Sequence, residues 1–478
     1  MGIHTVEKIG GTSMIRFDEV VKNVIVGERS PEEIYNRIFV VSAYAGVTDN
    51  LLEYKHTGEA GVYADFCNDE SEWSWGDRLT HTAQVMKEIN TRLFENELDH
   101  QSADRFVTDR IEGVRSCLLD LQRICSFGHF QLEEHLDTVR EMLSALGEAH
   151  SAHNTCLILN RLGVNASFID LTGWRERDNL TLDEKILNYL GGIDFSKEMP
   201  IVTGYTQCSE GLMRSFDRGY SEITFSRIAV LTEAKEAIIH KEYHLSTADP
   251  RVVGEDKVSP IGRTNYDVAD QLANLGMEAI HPKAAKGLRQ MSIPLRVRNT
   301  FEPDHDGTLI CGDYKSDHPC VEIIAGRKGV YALECFDQDM VGVVSHYETP
   351  ISQMIKKSTA RIVTKDTNAN TLTYYMVGNL KSIQALEKGI SELFPNAEVS
   401  LRKVAIVSAI GSDMQVPGIL ARTVKVLAEA GISILAMHQS MRQVDMQFVL
   451  EEKDYEGAVK ALHRGLLEDP QLKRVEAA

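Results

Sequence analysis

The chain contains no run of eighteen apolar residues, and its start has neither a basic leader nor the apolar core of an export signal. A membrane-spanning helix and secretion are therefore not expected, and the expected location is the cytoplasm. Positive charge is also scarce: Lys plus Arg total 51 against 70 for Asp plus Glu, a net charge of −19. That balance disfavours nucleic acid or an anionic membrane as the main partner, because both select basic surfaces. Eight cysteines (Cys67, Cys117, Cys125, Cys156, Cys208, Cys311, Cys320, Cys335) occur without one CxxC pair, which reads as reduced structural thiols. The P-loop pattern GxxxxGK[ST] is absent as well.

What is present is an ordinary globular composition, 43% apolar and 25% charged, over 478 residues. At roughly 100 to 200 residues per domain this length predicts two to four domains. The stretch "HTVEKIG" followed by "IRFDEVVKNVIVGE" has the pattern of strand, Gly turn and helix, and "RIFVVSAYAGVTDNLLEY" repeats it. Strands alternating with helices predict a largely parallel sheet covered on both faces, a three-layer αβα sandwich. From about residue 53 to 153 only helical periodicity is visible. Strands return at "ASFIDL", "MPIVTGY", "EAIIHKEY" and "IPLRVRNT", so one α/β domain is expected over 1–312.

The stretch "FEPDHDGTLICGDYKSDHPC" is rich in Asp, Gly and Pro and marks a domain boundary. Beyond it the order βαββα with a further strand occurs twice, with a repeat of about 75 residues. Two ferredoxin-like βαββαβ domains are expected, at 325–400 and 401–478.

The opening hexamer Lys8-Ile9-Gly10-Gly11-Thr12-Ser13 is the first candidate for chemistry. Two glycines let a backbone approach a ligand closely, and the N–H groups at the start of the next helix favour an anion such as a phosphate. Lys8 stands just before the turn, where it can neutralise charge on a transferring phosphoryl group. The bland alternative is a strand-to-helix turn with a surface lysine. "GEAHSAHN" also puts His150 and His153 three apart on a helix, but no third metal ligand is evident, and core or surface histidines are the expectation.

Four motifs in order, "KIGGTS", "VVSAYAGVTDNLL", "LGEAHSAH" and "STADPR", followed by the tandem repeat, resemble the aspartokinases of the amino-acid kinase family with C-terminal ACT domains. The resemblance covers nearly the whole chain. It implies that Lys8 stabilises the transferring γ-phosphoryl while Gly10, Gly11, Thr12 and Ser13 line the phosphate loop. It assigns Ser42 and Thr48 to the aspartate substrate, Glu148 to the substrate's α-amino group, and Asp249 and Arg251 to the nucleotide. Arg218 in "SFDRGYSEITFSRIA" aligns with LGRGGSDxTA, and a guanidinium there suits the α-carboxylate.

The chain departs from the family at three places. Glu222 stands where the family has aspartate, and the extra methylene moves the carboxylate by about 1.5 Å. Misplacement near the chemistry can cost roughly a hundredfold. Because a β-carboxylate with a pKa of about 3.9 is already ionised, Glu222 is expected to orient cations rather than remove a proton. Tyr220 replaces a glycine, with "IIHKEYHLSTADPR" in place of a TDVDG-type segment. Glu278 occupies a lysine position of a GAKVLHP motif, leaving Lys283 or Lys286 as substitutes. "SAYAGVTD", "DRGYSE", "HKEYHLSTADP" and "NYDVADQLANLGMEAIHP" resemble the specialised aspartokinases associated with ectoine synthesis.

The resemblance implies ATP-dependent conversion of L-aspartate to 4-phospho-L-aspartate, with Mg²⁺ bound through the nucleotide phosphates and no protein metal site. It further implies an amino-acid effector at the ACT domains, where "TNANTLTYY" and "GSDMQVPGIL" are the candidate loops, and a homodimer or higher homo-oligomer. The alternatives are a related kinase acting on glutamate or a similar acid, and a non-catalytic amino-acid sensor suggested by Tyr220, Glu222 and Glu278.

Overall fold

The computed structural model describes residues 2–54, 57–68, 72–216, 219–277 and 280–468. The chain divides into two compact units: residues 1–244 with 280–312, and residues 245–279 with 313–478.

The first unit contributes β1 (Thr5–Ile9), β2 (Arg37–Val41), β3 (Ala166–Ile169), β4 (Met199–Thr203), β5 (Glu236–Lys241), β7 (Leu295–Asn299) and β8 (Thr308–Cys311), with β6 (Arg263–Asn265) in the second unit. The seven strands lie in the order β3-β4-β2-β1-β5-β7-β8. Neighbours are parallel except at the β7–β8 edge, which is antiparallel. Val6, Ile9, Phe39, Val40, Val41, Ile201, Val202 and Ile239 are fully buried, the near-continuous apolar content expected of parallel strands covered on both faces. Helix Leu136–Arg161 packs on β2, β3 and β4, while helix Tyr220–Leu231 packs on β1, β2 and β5.

The central strands nevertheless carry ionic residues. Glu7 on β1 accepts from Arg37 Nε and Nη2 on β2 at 2.6 and 2.9 Å and meets His240 Nε2 on β5 at 2.8 Å. Arg37 spends its other donors on the carbonyls of Ile25 and Val24, each at 2.7 Å. Burial pushes the Glu7 carboxyl up, but Arg37 and His240 together hold it well below the ordinary carboxylate range. Three adjacent strands and the helical segment 13–25 are thus fastened by one buried carboxylate.

Between β2 and β3 the helices Val62–Cys67, Glu72–Leu93, Glu97–Cys125 and Leu136–Arg161 fill the chain. His150 and His153 lie on the last of these, and both are packing residues. His150 Nε2 meets Asn90 Oδ1 at 2.6 Å, and His153 stacks on Phe106 with centroids 4.1 Å apart. Burial lowers their pKa values to about 3 and about 4, so both are neutral. Among the described residues no helix is long and apolar enough to cross a membrane.

The second unit divides the chain differently from the pattern read in the sequence. Its sheet has six strands in the order β10-β11-β9-β12-β14-β13, formed by β9 (Ile323–Phe336), β10 (Arg361–Thr367), β11 (Thr371–Val377), β12 (Glu398–Ile410), β13 (Ala436–Gln439) and β14 (Asp445–Glu451). β9 and β12 are long enough to serve both ferredoxin-like modules, with a register shift where one gives way to the other. One module runs from the second half of β9 to the first half of β12. The other begins in the second half of β12, and its sixth strand is residues 323–327, paired with 406–410. The first repeat is therefore inserted within the second. The segment 245–279 packs with this unit: Ala248 and Val253 are buried in one core with Ile324, Val407, Phe448 and Leu462.

Replacing Arg37 by Ala removes the main counter-charge of Glu7 and two carbonyl caps. Urea denaturation is expected to show a loss of about 3–5 kcal/mol, and the double variant Glu7→Leu, Arg37→Met a smaller one, because no buried charge is then left unpaired.

Candidate active site

The ends of β1, β2, β4 and β5 converge on the opening hexamer. Gly10 N–H donates to the His240 carbonyl at 3.2 Å, tying the turn to β5. Gly11 passes so close to the segment after β2 that a Cβ there would lie 2.8 Å from Ala43 O, so only glycine fits. Helical structure starts at Ser13, and Thr12 provides no side-chain cap. N–H groups at such a start have no intrahelical acceptors and suit an anion. Thr12 is exposed, whereas Ser13 is fully buried and accepts from Thr300 Oγ1 at 3.1 Å. The Ser13 hydroxyl thus anchors the loop.

Lys8 alternates with Glu7 on β1 and so leaves the opposite face of the strand. Its Nζ lies 3.2 Å from Glu222 Oε1, in the first turn of helix Tyr220–Leu231. Glu222 Oε2 accepts from His281 N–H at 2.5 Å. The longer side chain therefore still reaches the lysine, and its second oxygen gains a backbone donor. Burial pushes the Glu222 carboxyl up, but the charges of Lys8 and Lys241 and the His281 N–H bring it below its ordinary value.

The neighbouring Ser221 faces the other acid. Its Oγ donates to Glu148 Oε1 at 2.7 Å, while Glu148 Oε2 is buried without a hydrogen-bond partner. Glu148 is 2% exposed, and burial raises its pKa to about 8 against the opposing effects of Ser221 and Lys8. Two glycines create this arrangement. A Cβ on Gly147 would lie 2.7 Å from Ala43 Cβ, so Gly147 lets the helix of Glu148 press against the loop after β2. A Cβ on Gly204 would lie 2.9 Å from both Ser221 Cβ and Val41 O and 3.0 Å from Glu148 Oε1.

Ser42 follows β2, and its carbonyl accepts from Ser151 Oγ at 2.8 Å, one turn beyond Glu148. Thr48 is half-buried in helix Val47–Leu51, which starts at Gly46 in the left-handed region with φ 83°. Lys8, Glu222, Glu148, Ser42 and the Gly10–Gly11 turn are thus linked by direct contacts among their elements. Arg218 and Glu278 lie outside the described residues. Asp249 and Arg251 belong to the second unit. There Asp249 caps helix Pro250–Val253 and pairs with Arg251 at 2.8 Å.

Sequence patterns did not single out Gly204, Ser221, Lys241 or the His281 N–H. Lys283 and Lys286 are exposed, whereas Lys241, at the end of β5, is the further cation whose charge acts on Glu222. Tyr220 is buried and meets Tyr205 edge-on at 5.5 Å, so its ring fills the core. Among the described residues no group of three His, Cys, Asp or Glu is placed to hold a metal ion. A Mg²⁺ ion that keeps its waters and binds through phosphates is compatible with such a site.

Residues 4–299 match the model of the amino acid kinase family, and residues 397–464 match an ACT domain model. The chain is 56% identical over 466 residues to aspartate kinase Ask_Ect of Stutzerimonas stutzeri (strain A1501), covering 98% of each chain. It is 26% identical to the chloroplastic aspartokinase 1 of Arabidopsis thaliana, covering 99% of this chain and 82% of that one. Its fold is similar to that of E. coli aspartokinase III in complex with aspartate and ADP, with a TM-score of 0.69 at 18% identity over 98% of this chain and 100% of that one.

The raised pKa of Glu148 has a consequence for stability. The native carboxyl holds its proton up to about pH 8, whereas an unfolded glutamate releases it near pH 4.3. The native state binds more protons across that window, so its stability falls as pH rises through it. Glu148→Gln is expected to lack this decline, so the variant gains on the wild type between about pH 5 and 8 in urea denaturation series.

Proposed function

We propose the following mechanism on the premise that the chain belongs to the amino acid kinase family and is an aspartate kinase, which transfers the γ-phosphoryl of ATP to the β-carboxylate of L-aspartate, giving 4-phospho-L-aspartate and ADP. Lys8 is the cation for the transferring phosphoryl group, held in position by Glu222. The observation that carries this reading is the 3.2 Å Lys8–Glu222 pair beside the Gly10–Gly11 turn. The substrate carboxylate is itself an anionic nucleophile and needs no general base. Catalysis then consists of positioning and charge stabilisation. The backbone of residues 10–13 receives the phosphates. Mg²⁺, carried on those phosphates, would neutralise their negative charge.

Glu148 takes the α-amino group. Its burial supports that role, because a buried carboxylate oxygen gains most from an arriving ammonium donor. Ser42 and Thr48 complete the amino-acid end, and Arg218 holds the α-carboxylate. Two carboxylates in one site thus have separate tasks: Glu222 is held ionised by cations, and Glu148 becomes ionised as it meets the ammonium group.

Commitment of the product to ectoine synthesis is supported by the motifs around residues 42–49, 217–222, 240–250 and 265–282 and by the 56% identity to Ask_Ect. An amino-acid effector at the ACT modules and a homodimeric or higher assembly complete the proposal.

Purified protein with ATP, Mg²⁺ and hydroxylamine is expected to form the aspartyl hydroxamate and at least about tenfold less product from L-glutamate at equal concentration, since one added methylene misplaces the reacting carboxylate. Equal rates would favour a broader acid kinase, and absence of hydroxamate would favour a sensor.

A further inference from the structure

We propose that the second unit contains a binding site for a phosphoryl group, formed by Arg327, Arg251 and Lys328 around a cavity of about 300 Å³. No part of the catalytic reading is needed for it. Arg327 lies on β9 where the register shifts between the two ACT modules. It is half-buried, and among the described residues it forms no hydrogen bond or ion pair. Burial, and then the like charge of Arg361, hold its guanidinium below its ordinary pKa, with no acidic group to offset them.

A guanidinium has five donors, and Arg327 gives none of them to another described residue, so its fork is available to a ligand. The surroundings make room for it. Gly276, with φ +87°, lies so close that a Cβ there would be 2.8 Å from Arg327 Nη1. The other two cations already have partners: Arg251 pairs with Asp249 at 2.8 Å, and Lys328 with Glu456 at 2.7 Å, both at exposed positions. Such surface pairs are weak and can re-form around a ligand. Arg327 is the strong element. Its fork can engage two oxygens of one phosphoryl group, while the neighbouring cations balance a charge near −2.

The phosphoryl group can come from a nucleotide or from free phosphate. In either case its binding joins the turn at residues 249–251 to the strand shared by both ACT modules.

Calorimetric titration of the full chain with inorganic phosphate and with ADP tests the proposal. For wild type against Arg327→Leu, at least a tenfold loss of affinity is expected for one of these probes. Loss for ADP, with phosphate excluded by saturating ADP, identifies the nucleotide as the source. Loss for phosphate alone, with ADP affinity unchanged, identifies a separate anion site. Arg327→Lys keeps the charge without the fork and is expected to bind several-fold more weakly than wild type. It also keeps the test decisive if the leucine variant does not fold. Unchanged affinities for both probes in either folded variant overturn the proposal.

Discussion

A strand buried on both faces carries two adjacent ionic residues, and this constraint shapes the first unit. Glu7 and Lys8 point to opposite sides of β1, so each must find its counter-charge in a different layer. Glu7 finds Arg37 and His240 on the flanking strands, and Lys8 finds Glu222 on helix Tyr220–Leu231. The first arrangement sets the three strands side by side. The second brings the start of that helix against the end of β1, beside the glycine turn. The position of Lys8, the cation proposed for the chemical step, therefore follows from the same need for charge compensation that orders the sheet.

The arrangement extends through consecutive residues of one helix turn. Glu222 holds Lys8, and Ser221 holds Glu148, so the proposed phosphate and amino-acid ends share a single support. Gly147 and Gly204 bring the backbones close enough for these contacts. The resulting electrostatic asymmetry underlies the two tasks proposed for these acids: cations lower the Glu222 pKa, whereas burial raises that of Glu148. Substituting glutamate for the family's aspartate changes the reach of position 222 without separating it from Lys8.

Parts of this were legible in the sequence because they depend on local patterns. The Gly10–Gly11 turn, the apolar strands and the helix bearing Glu148 follow from spacing and residue type. Ser221 and Gly204 carry no such signal, since a serine in a helix and a glycine after a strand are ordinary until tertiary packing leaves no room for a Cβ between them. The same holds for Lys241, whose effect on Glu222 depends on where β5 ends. In the second unit the repeat order was readable, but strand pairing was not. Two βαββα runs look consecutive along the chain, although residues 323–327 complete the later one. The segment 245–279 reads as a continuation of the α/β domain because its helices have the same period, whereas Ala248 and Val253 bury their surface with the ACT core.

The central claim is that the charge of Lys8, delivered to the end of β1 by Glu222, acts in the chemical step. Turnover of Lys8→Met at saturating ATP and aspartate, measured alongside ADP affinity, tests it most directly. The account predicts a fall in kcat of at least about a hundredfold, the scale of losing one preorganised charge partner of a transition state, with ADP affinity within a few-fold of wild type. A kcat close to that of the wild type would contradict it.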